Sequence, residues 1–489
     1  MANQFLPQAR ALLQAFHDDL CRAEGVDRLA RLRQDLIGND AEIVTPFGMK
    51  PLVYADYVAS GRALGAVERF VMEKVLPYYA NSHTEASYCG GLMTALRNAA
   101  RETIAGICGA DHRYAVIFTG SGATAGLNRL IHVFDARPSL GVAPLVILGP
   151  YEHHSNILPW RESGAEVMQI QEGSGGGPNL QDLEIALAEA KGRPVICSFS
   201  AASNVTGIIS DVAALTKRAK KAGAKVVLDH ACGAPYLPIR MDFGSNGAVD
   251  AAVVSPHKFI GGPSASGVLI VRRDAVSVRR PTWPGGGTVK FVSPADHVYA
   301  DEIEAREEGG TPNVVGDIRA ALAFLVKKVI GQDFLCERNA ELVDRAFARL
   351  RAVPQIELLG NLQARRLPIL SFRIRDGAGN YVHHQLVTRL LSDRFGIQAR
   401  GGCACAGPYV HHLLQLSEVD SSDILRAVAD GEEIRKPGFV RLNLSALLTD
   451  TKVDYILDAV VRLAEEISEL ARYYRADSRR AVFAFDDRD

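Results

Sequence analysis

No apolar run in this chain is long enough to cross a bilayer, which excludes a helical membrane span. The first residues, MANQFLPQARALLQAFHDDLCRAEG, lack the basic start and apolar stretch of a secretory signal, so a cytoplasmic protein is expected. Charge of one sign is also missing. The 55 Lys and Arg against 56 Asp and Glu leave a formal net charge of −1, which offers no field for gripping nucleic acid or an anionic membrane. Cysteine is sparse: eight residues, at 21, 89, 108, 197, 232, 336, 403 and 405, with no CxxC pair. That is too few to staple 489 residues, so reduced thiols are the expectation. Cys403 and Cys405 alone make a poor metal site, since a structural zinc wants four ligands, and no metal is expected. There is no internal repeat, no low-complexity tract and no GK[ST] ending of a nucleotide-binding P-loop.

The composition that remains, 47% hydrophobic and 23% charged, is that of an ordinary globular protein long enough for two domains. Residues 1–35 read as helix. From about residue 65, short apolar runs alternate with helical stretches: Ala115–Thr119, Leu145–Leu148, Val195–Phe199, Lys225–Leu228, Ala251–Ser255 and Gly267–Val271, with helices over 123–134, 180–191 and 211–222. Continuous apolar strands alternating with helices predict a mainly parallel sheet covered on both faces. After Pro312 a long helix over 314–330 leads to a different pattern: a strand at 369–374, a helix at 383–394, a Gly-Cys loop at 401–407, a strand at 439–445 and a helix at 452–473. The expected organisation is therefore an N-terminal helical segment (1–45), a large α/β domain (46–313), a smaller α+β domain (314–475) and a charged, frayed tail (476–489).

The chemistry-bearing residues follow the strands, where open α/β sheets bind ligands. Lys258, in Ser255-Pro-His-Lys258, ends one strand. Alone it reads most simply as a lysine reaching solvent, but a partly desolvated lysine there suits a Schiff-base amine. Asp229 ends the preceding strand and supplies the carboxylate that a pyridine nitrogen needs to stay protonated. Gly120-Ser-Gly-Ala-Thr-Ala-Gly126 turns from a strand into a helix N-terminus and suits a phosphate, with Thr124 as an added donor. His153, in Tyr151-Glu-His-His-Ser-Asn156, can stack on an aromatic ring and shuttle protons. The doublets His383-His384 and His411-His412 read as solvated helix or loop faces. Gly401-Gly-Cys-Ala-Cys-Ala-Gly407 presents two thiols on a flexible loop beside Arg400, which suits a mobile nucleophile as well as two small buried hydrophobes. Arg441 can grip a carboxylate bidentately or simply lie on the surface.

Taken together, the motifs YADYVASGR, GSGATAGLN, EHHSNILPW, SNVTG, LDHACGAP, SPHK, GGGT, EGGTPN and RGGCACAGP resemble the class V aminotransferase superfamily of fold-type I pyridoxal 5′-phosphate (PLP) enzymes. The resemblance covers about Tyr54 to Leu470 and is greatest for the cysteine desulfurase and selenocysteine lyase branch; RGGCACAGP also resembles molybdenum-cofactor sulfurases. It implies a fold-type I PLP-dependent transferase, with a mainly parallel large domain and a smaller α+β C-terminal domain. It implies Lys258 as the Schiff-base lysine, Asp229 as the ring-nitrogen partner and His153 as the stacking imidazole. Thr124, Ser255 and His257 match phosphate positions, and Thr288 resembles the residue that reaches the partner subunit's phosphate in a homodimer. Asn204 matches a residue beside cofactor and substrate, Arg441 the substrate-carboxylate arginine and Arg400 the arginine before the mobile loop. Cys405, rather than Cys403, matches the sulfur-accepting cysteine. Cys232 stands where many relatives have glutamine at the ring hydroxyl, Ala123 replaces a phosphate-loop threonine, and 409–438 is longer than usual. The implied reaction removes sulfur from L-cysteine, leaving alanine and a persulfide destined for an acceptor protein. An aminotransferase, an epimerase, another β-lyase or a molybdenum-cofactor sulfurase are the alternatives.

Overall fold

The structure is a computed structural model that describes residues 4–22, 28–82, 85–138, 142–190 and 192–486. The chain divides into two compact units. One holds Met1–Ile37, Ser60–Ala201 and Ser210–Leu335; the other holds Gly38–Ala59, Ala202–Ile209 and Cys336–Asp489.

The first unit is built on seven strands: β1 (Tyr114–Gly120), β2 (Leu145–Leu148), β3 (Glu166–Gln169), β4 (Val195–Ser200), β5 (Lys225–Asp229), β6 (Ala251–Val254) and β7 (Gly267–Arg272). Their order in the sheet is β1-β7-β6-β5-β4-β2-β3. β7 runs antiparallel to both its neighbours, while the pairs from β6 to β3 are parallel. The unbroken apolar runs have the reason expected of them, because alternate residues of each strand enter two different cores. Phe118, Ile147, Phe199, Leu228 and Val254 face one core together with Ala320 and Phe324 of α2 (Val314–Ile330). Ile117, Val146, Val227 and Val253 face the other, with Leu127 and Leu130 of α1 (Gly122–Val133). A sheet covered on both faces disfavours charged side chains along its strands, so they collect towards the strand ends. The α/β class expected from the sequence is the class observed.

The N-terminal stretch forms helices over Leu6–Cys21 and Arg28–Gln34; residues 1–3 and 23–27 of the expected helix lie outside the described residues.

The second unit has a four-stranded antiparallel sheet of β8 (Ile356–Leu358), β9 (Ile369–Ile374), β10 (Arg400–Gly402) and β11 (Phe439–Asn443), in the order β8-β9-β11-β10. Helices α3 (His384–Phe395) and α4 (Asp450–Leu470) contribute Leu390, Leu391, Ile456, Val460 and Leu463 to its core. Two sequence expectations are corrected in this unit. The tail is not frayed as far as residue 486: Tyr474–Asp477 and Val482–Phe485 pair as an antiparallel hairpin that buries Tyr474 and Phe483 in the same core. The aromatic alternation of a short strand is easily lost in a charged segment. His383 and His384 are not on a solvated face either, because their rings stack at 4.3 Å and burial pushes His384 down to about 3.

The parallel strands that lead to the site are tied down at their opposite ends by Asp250, which is fully buried. Its carboxylate accepts from the Val226 N–H at 2.7 Å and from Lys220 Nζ at 2.8 Å, and pairs with Arg272 at 3.0 Å. Replacing it leaves the largely buried Lys220 ammonium with no anion among the described residues and Arg272 with Asp274 alone, which typically costs several kcal/mol. Asp250→Ala is expected to lose about 3–5 kcal/mol of stability in a denaturant titration.

Candidate active site

Lys258 sits in a tight turn directly after β6, where its own N–H donates to Ser255 O at 3.0 Å and Phe259 N–H to Pro256 O at 2.9 Å. Two glycines let the surrounding chain close on this turn. A Cβ on Gly61 would drive into the Phe259 carbonyl and one on Gly262 into the Pro256 carbonyl, and the Gly61 N–H donates to His257 O at 2.9 Å. Phe259 is buried against Phe324, with ring centroids 4.9 Å apart. The turn is therefore clamped from both sides, and the lysine it carries is half-buried.

Asp229 ends β5, the parallel neighbour of β6. It is only 4% exposed, and its carboxylate accepts one backbone donor, the Ala231 N–H at 2.8 Å. Burial raises its pKa, the Lys258 charge lowers it, and burial is the larger influence. A carboxylate in this state is completed by a cation placed against it.

The third part is the start of α1. Ser121, its N-cap, gives no side-chain cap, and the Ala123 N–H donates to Ser255 Oγ at 2.9 Å. Gly122 has φ +59°, and a Cβ there would lie 3.0 Å from both Ser255 Oγ and His257 Cε1. This brings Ala123, Ser255 and His257 together. Burial and then the Lys258 charge push His257 down to about 4, so it is neutral at pH 7. Thr124 is exposed and shares a hydrogen bond with Ser155 Oγ at 2.7 Å. Ser155 in turn donates its N–H to His153 Nδ1 at 3.1 Å, which places the proton of a neutral His153 ring on Nε2. Cys232 is buried. Thr288 is fully buried, and its hydroxyl donates to Gly285 O at 2.7 Å within its own turn.

PLP would require a phosphate cradle, a carboxylate for its ring nitrogen and an amine. The residues of this unit fit all three: a helix start with a left-handed glycine pressed on two side chains, a buried carboxylate without an ion-pair partner among the described residues, and Lys258.

A carboxyl that sequence reasoning passed over lies beneath His153. Glu152 is buried and accepts from Ser200 N–H at 2.9 Å, Ser200 Oγ at 2.6 Å and Asn156 Nδ2 at 2.5 Å. Ser200 is the β4 partner of Asp229. Asn156 also accepts from Trp160 Nε1 at 3.0 Å and Ser198 Oγ at 2.6 Å, so one network fixes the loop that carries His153. The i, i+4 spacing of Glu152, Asn156 and Trp160 was the only sequence signal for it.

The remaining expected residues belong to the second unit. Arg400 and Arg441 are direct cross-strand partners on β10 and β11. Asp56 accepts from Arg400 Nε at 2.9 Å and from Arg441 Nη2 at 3.0 Å, and Arg441 Nη1 donates to Asn204 O at 2.9 Å. Asn204 Nδ2 donates to Ala404 O at 2.7 Å. Ala404 and Cys405 both adopt left-handed backbone, with φ of 50° and 54°, and the Cys405 residue is exposed. Two consecutive non-glycine residues in that region store strain of the order of 1 kcal/mol each. Thus Arg400, Arg441, Asn204 and the cysteine loop form one connected group. Asp56, which lies in the YADYVASGR motif, is the member that the sequence did not single out.

Comparison with known proteins identifies the family. The class-V aminotransferase family model matches residues 53–454. A probable cysteine desulfurase of Halalkalibacterium halodurans is 30% identical, over 74% of this chain and 86% of the relative. A cysteine desulfurase of Klebsiella pneumoniae is 30% identical over 73% and 85%. Among solved structures, the apo cysteine desulfurase of Thermococcus onnurineus superposes with a TM-score of 0.72 at 23% identity, covering 89% of this chain and 98% of that one. A cysteine desulfurase of Escherichia coli gives 0.68 at 23% identity, covering 91% and 100%.

Burial, and secondarily Asp229, push Glu152 from 4.5 up to about 7. Between those values the folded protein holds a proton that the unfolded chain has lost, so this group's stabilising effect is full below pH 4.5 and falls away as pH rises towards 7. Glu152→Gln is expected to flatten the decline of stability over this range by up to about 1.4 kcal/mol per pH unit, read from denaturant midpoints measured at several pH values.

Proposed function

This chain belongs to the class-V aminotransferase family, and from that premise we propose that it is a PLP-dependent enzyme that removes sulfur from L-cysteine, leaving alanine and a persulfide on Cys405. The observation that carries the sulfur chemistry is the exposed Cys405 on a left-handed turn whose preceding carbonyl is held by Asn204. The names of the relatives, cysteine desulfurases, support the same reading.

Bound PLP supplies an electron sink that stabilises negative charge at the α-carbon of an amino acid. Lys258 would anchor the cofactor, and its Nζ would take the α-proton of the bound amino acid. The buried carboxylate of Asp229 holds a proton at the ring nitrogen. His153, fixed through Nδ1 by the Ser155 N–H, presents the Nε2–H side of its ring. The start of α1 and the hydroxyls of Ser255 and Thr124 take the phosphate, with neutral His257 beside them. Arg441, with Arg400, takes the substrate carboxylate. The Cys405 thiolate attacks the substrate sulfur, an S–S bond forms as the C–S bond breaks, and the bonding pair stays with the β-carbon, which takes up a proton to become the methyl group, while Lys258 gives the α-proton back to complete alanine. An acceptor protein then receives the persulfide sulfur.

We also propose a homodimer. Its support is the exposed apolar set Trp283, Phe291, Val292 and Val298 on the segment that carries Thr288, since patches of this kind mark interfaces. A cytoplasmic setting suits eight cysteines, none of which is in a disulfide among the described residues. Among the described residues no helix is long and apolar enough to cross a membrane.

One set of measurements tests this reading. Wild-type protein, sedimenting at the mass of a dimer, should convert L-cysteine to alanine and sulfide without forming a keto acid. Cys405→Ser should lose at least about a hundredfold of that rate, as expected for removal of a nucleophile, while keeping the absorbance of bound cofactor. Undiminished sulfide release by that variant would refute the role of Cys405, and a keto-acid product would point to an aminotransferase.

A further inference from the structure

Arg400 and Arg441 stand directly opposite each other on adjacent antiparallel strands, an arrangement in which like charges repel. What makes it tolerable is Asp56. The segment that carries this residue is threaded into the second unit by its own backbone: Val53–Tyr54 pairs with Ile397–Gln398, Ala55 N–H donates to Gln398 O at 3.0 Å, and Ala55 O accepts from Asn443 N–H at 2.7 Å. The Asp56 carboxylate is thereby held between the two guanidinium groups, with one oxygen on each. Its side chain is 10% exposed, that of Arg441 5% and that of Arg400 52%. The Nε–H of Arg441 is shut from solvent and has no acceptor among the described residues, so this guanidinium keeps a donor beyond those that meet Asp56 and Asn204.

We infer that Asp56 is a specificity-determining positioning residue: by neutralising one of two facing arginines, it sets the site to take an amino acid with one carboxylate and to reject one with a second anionic group. This rests on the reading of Arg441 and Arg400 as the groups that receive the substrate carboxylate. Two guanidinium groups and one carboxylate carry a net charge of +1, which a single α-carboxylate balances. Without the Asp56 charge the pair carries +2 and can balance a dicarboxylate. Asp56 also fixes the planes of both arginines, because each donates to a different oxygen of one rigid carboxylate.

The test uses PLP-loaded wild type, Asp56→Asn, Arg400→Gln and the double variant. Each is titrated with L-alanine and with L-aspartate, following the perturbation of the bound cofactor's absorbance, and the ratio of the two dissociation constants is compared. Asp56→Asn should shift this ratio towards L-aspartate by about tenfold, the effect of one partly screened charge pair. Arg400→Gln should shift it the other way by about as much, and the double variant, back at net +1, should return close to the wild-type ratio. A purely structural role for Asp56 would weaken both ligands alike and leave the ratio where it was, and that result overturns the inference. Should Asp56→Asn fail to fold, an unmoved ratio in Arg400→Gln overturns it equally. If the wild-type protein binds neither L-alanine nor L-cysteine, the proposed function itself falls and takes this inference with it. Wild-type binding with unmoved ratios in the variants overturns the inference alone.

Discussion

A carboxylate shut away from water needs either a proton or a cation, and the first unit is arranged around one such group. Asp229 is held at the end of a parallel strand with a single backbone donor, next to the strand that ends in Lys258. The sheet is covered on both faces, so charged groups gather towards its strand ends. Asp250 ties down the far ends of the same strands with two cations, and the Gly61 and Gly262 contacts clamp the lysine turn. What remains after this packing is a carboxyl group whose pKa burial raises, next to a lysine amine. A cationic heteroaromatic ring satisfies the first, and its carbonyl substituent the second.

The same logic of charge in confined space appears in the second unit with opposite sign. There two arginines face each other across a strand pair, and a carboxylate from the segment 53–56 separates them. In both places the fold leaves one charge unbalanced, negative at Asp229 and positive at the arginine pair.

How much of this was legible in the sequence depended on whether the signal was local. Lys258 and Asp229 could be found because each directly follows an apolar run, and the α/β class because those runs alternate with helices. The strand-to-helix turn at 120–126 was legible from its glycines, and the boundaries of the helices that flank the strands fell within a few residues of expectation. Asp56 was not legible, since it lies 344 residues from Arg400 and 385 from Arg441, and no spacing rule spans such distances. Ser155 was missed because a hydroxyl hydrogen bond leaves no periodic trace, and Glu152 because its only trace was the i, i+4 spacing to Asn156 and Trp160. The returns of the chain at 38–59 and 202–209 to the second unit carry no mark in composition either. His383 and His384 misled because adjacent polar residues read as a solvated face, whereas mutual stacking lets the pair be buried.

The proposed role of Lys258 as the cofactor's anchor can be examined at a single atom. Holoprotein reduced with borohydride, digested and analysed by peptide mass spectrometry is predicted to carry a phosphopyridoxyl group on the peptide containing Lys258. A group found instead on another lysine, such as Lys225 or Lys327, or on none, would contradict the account.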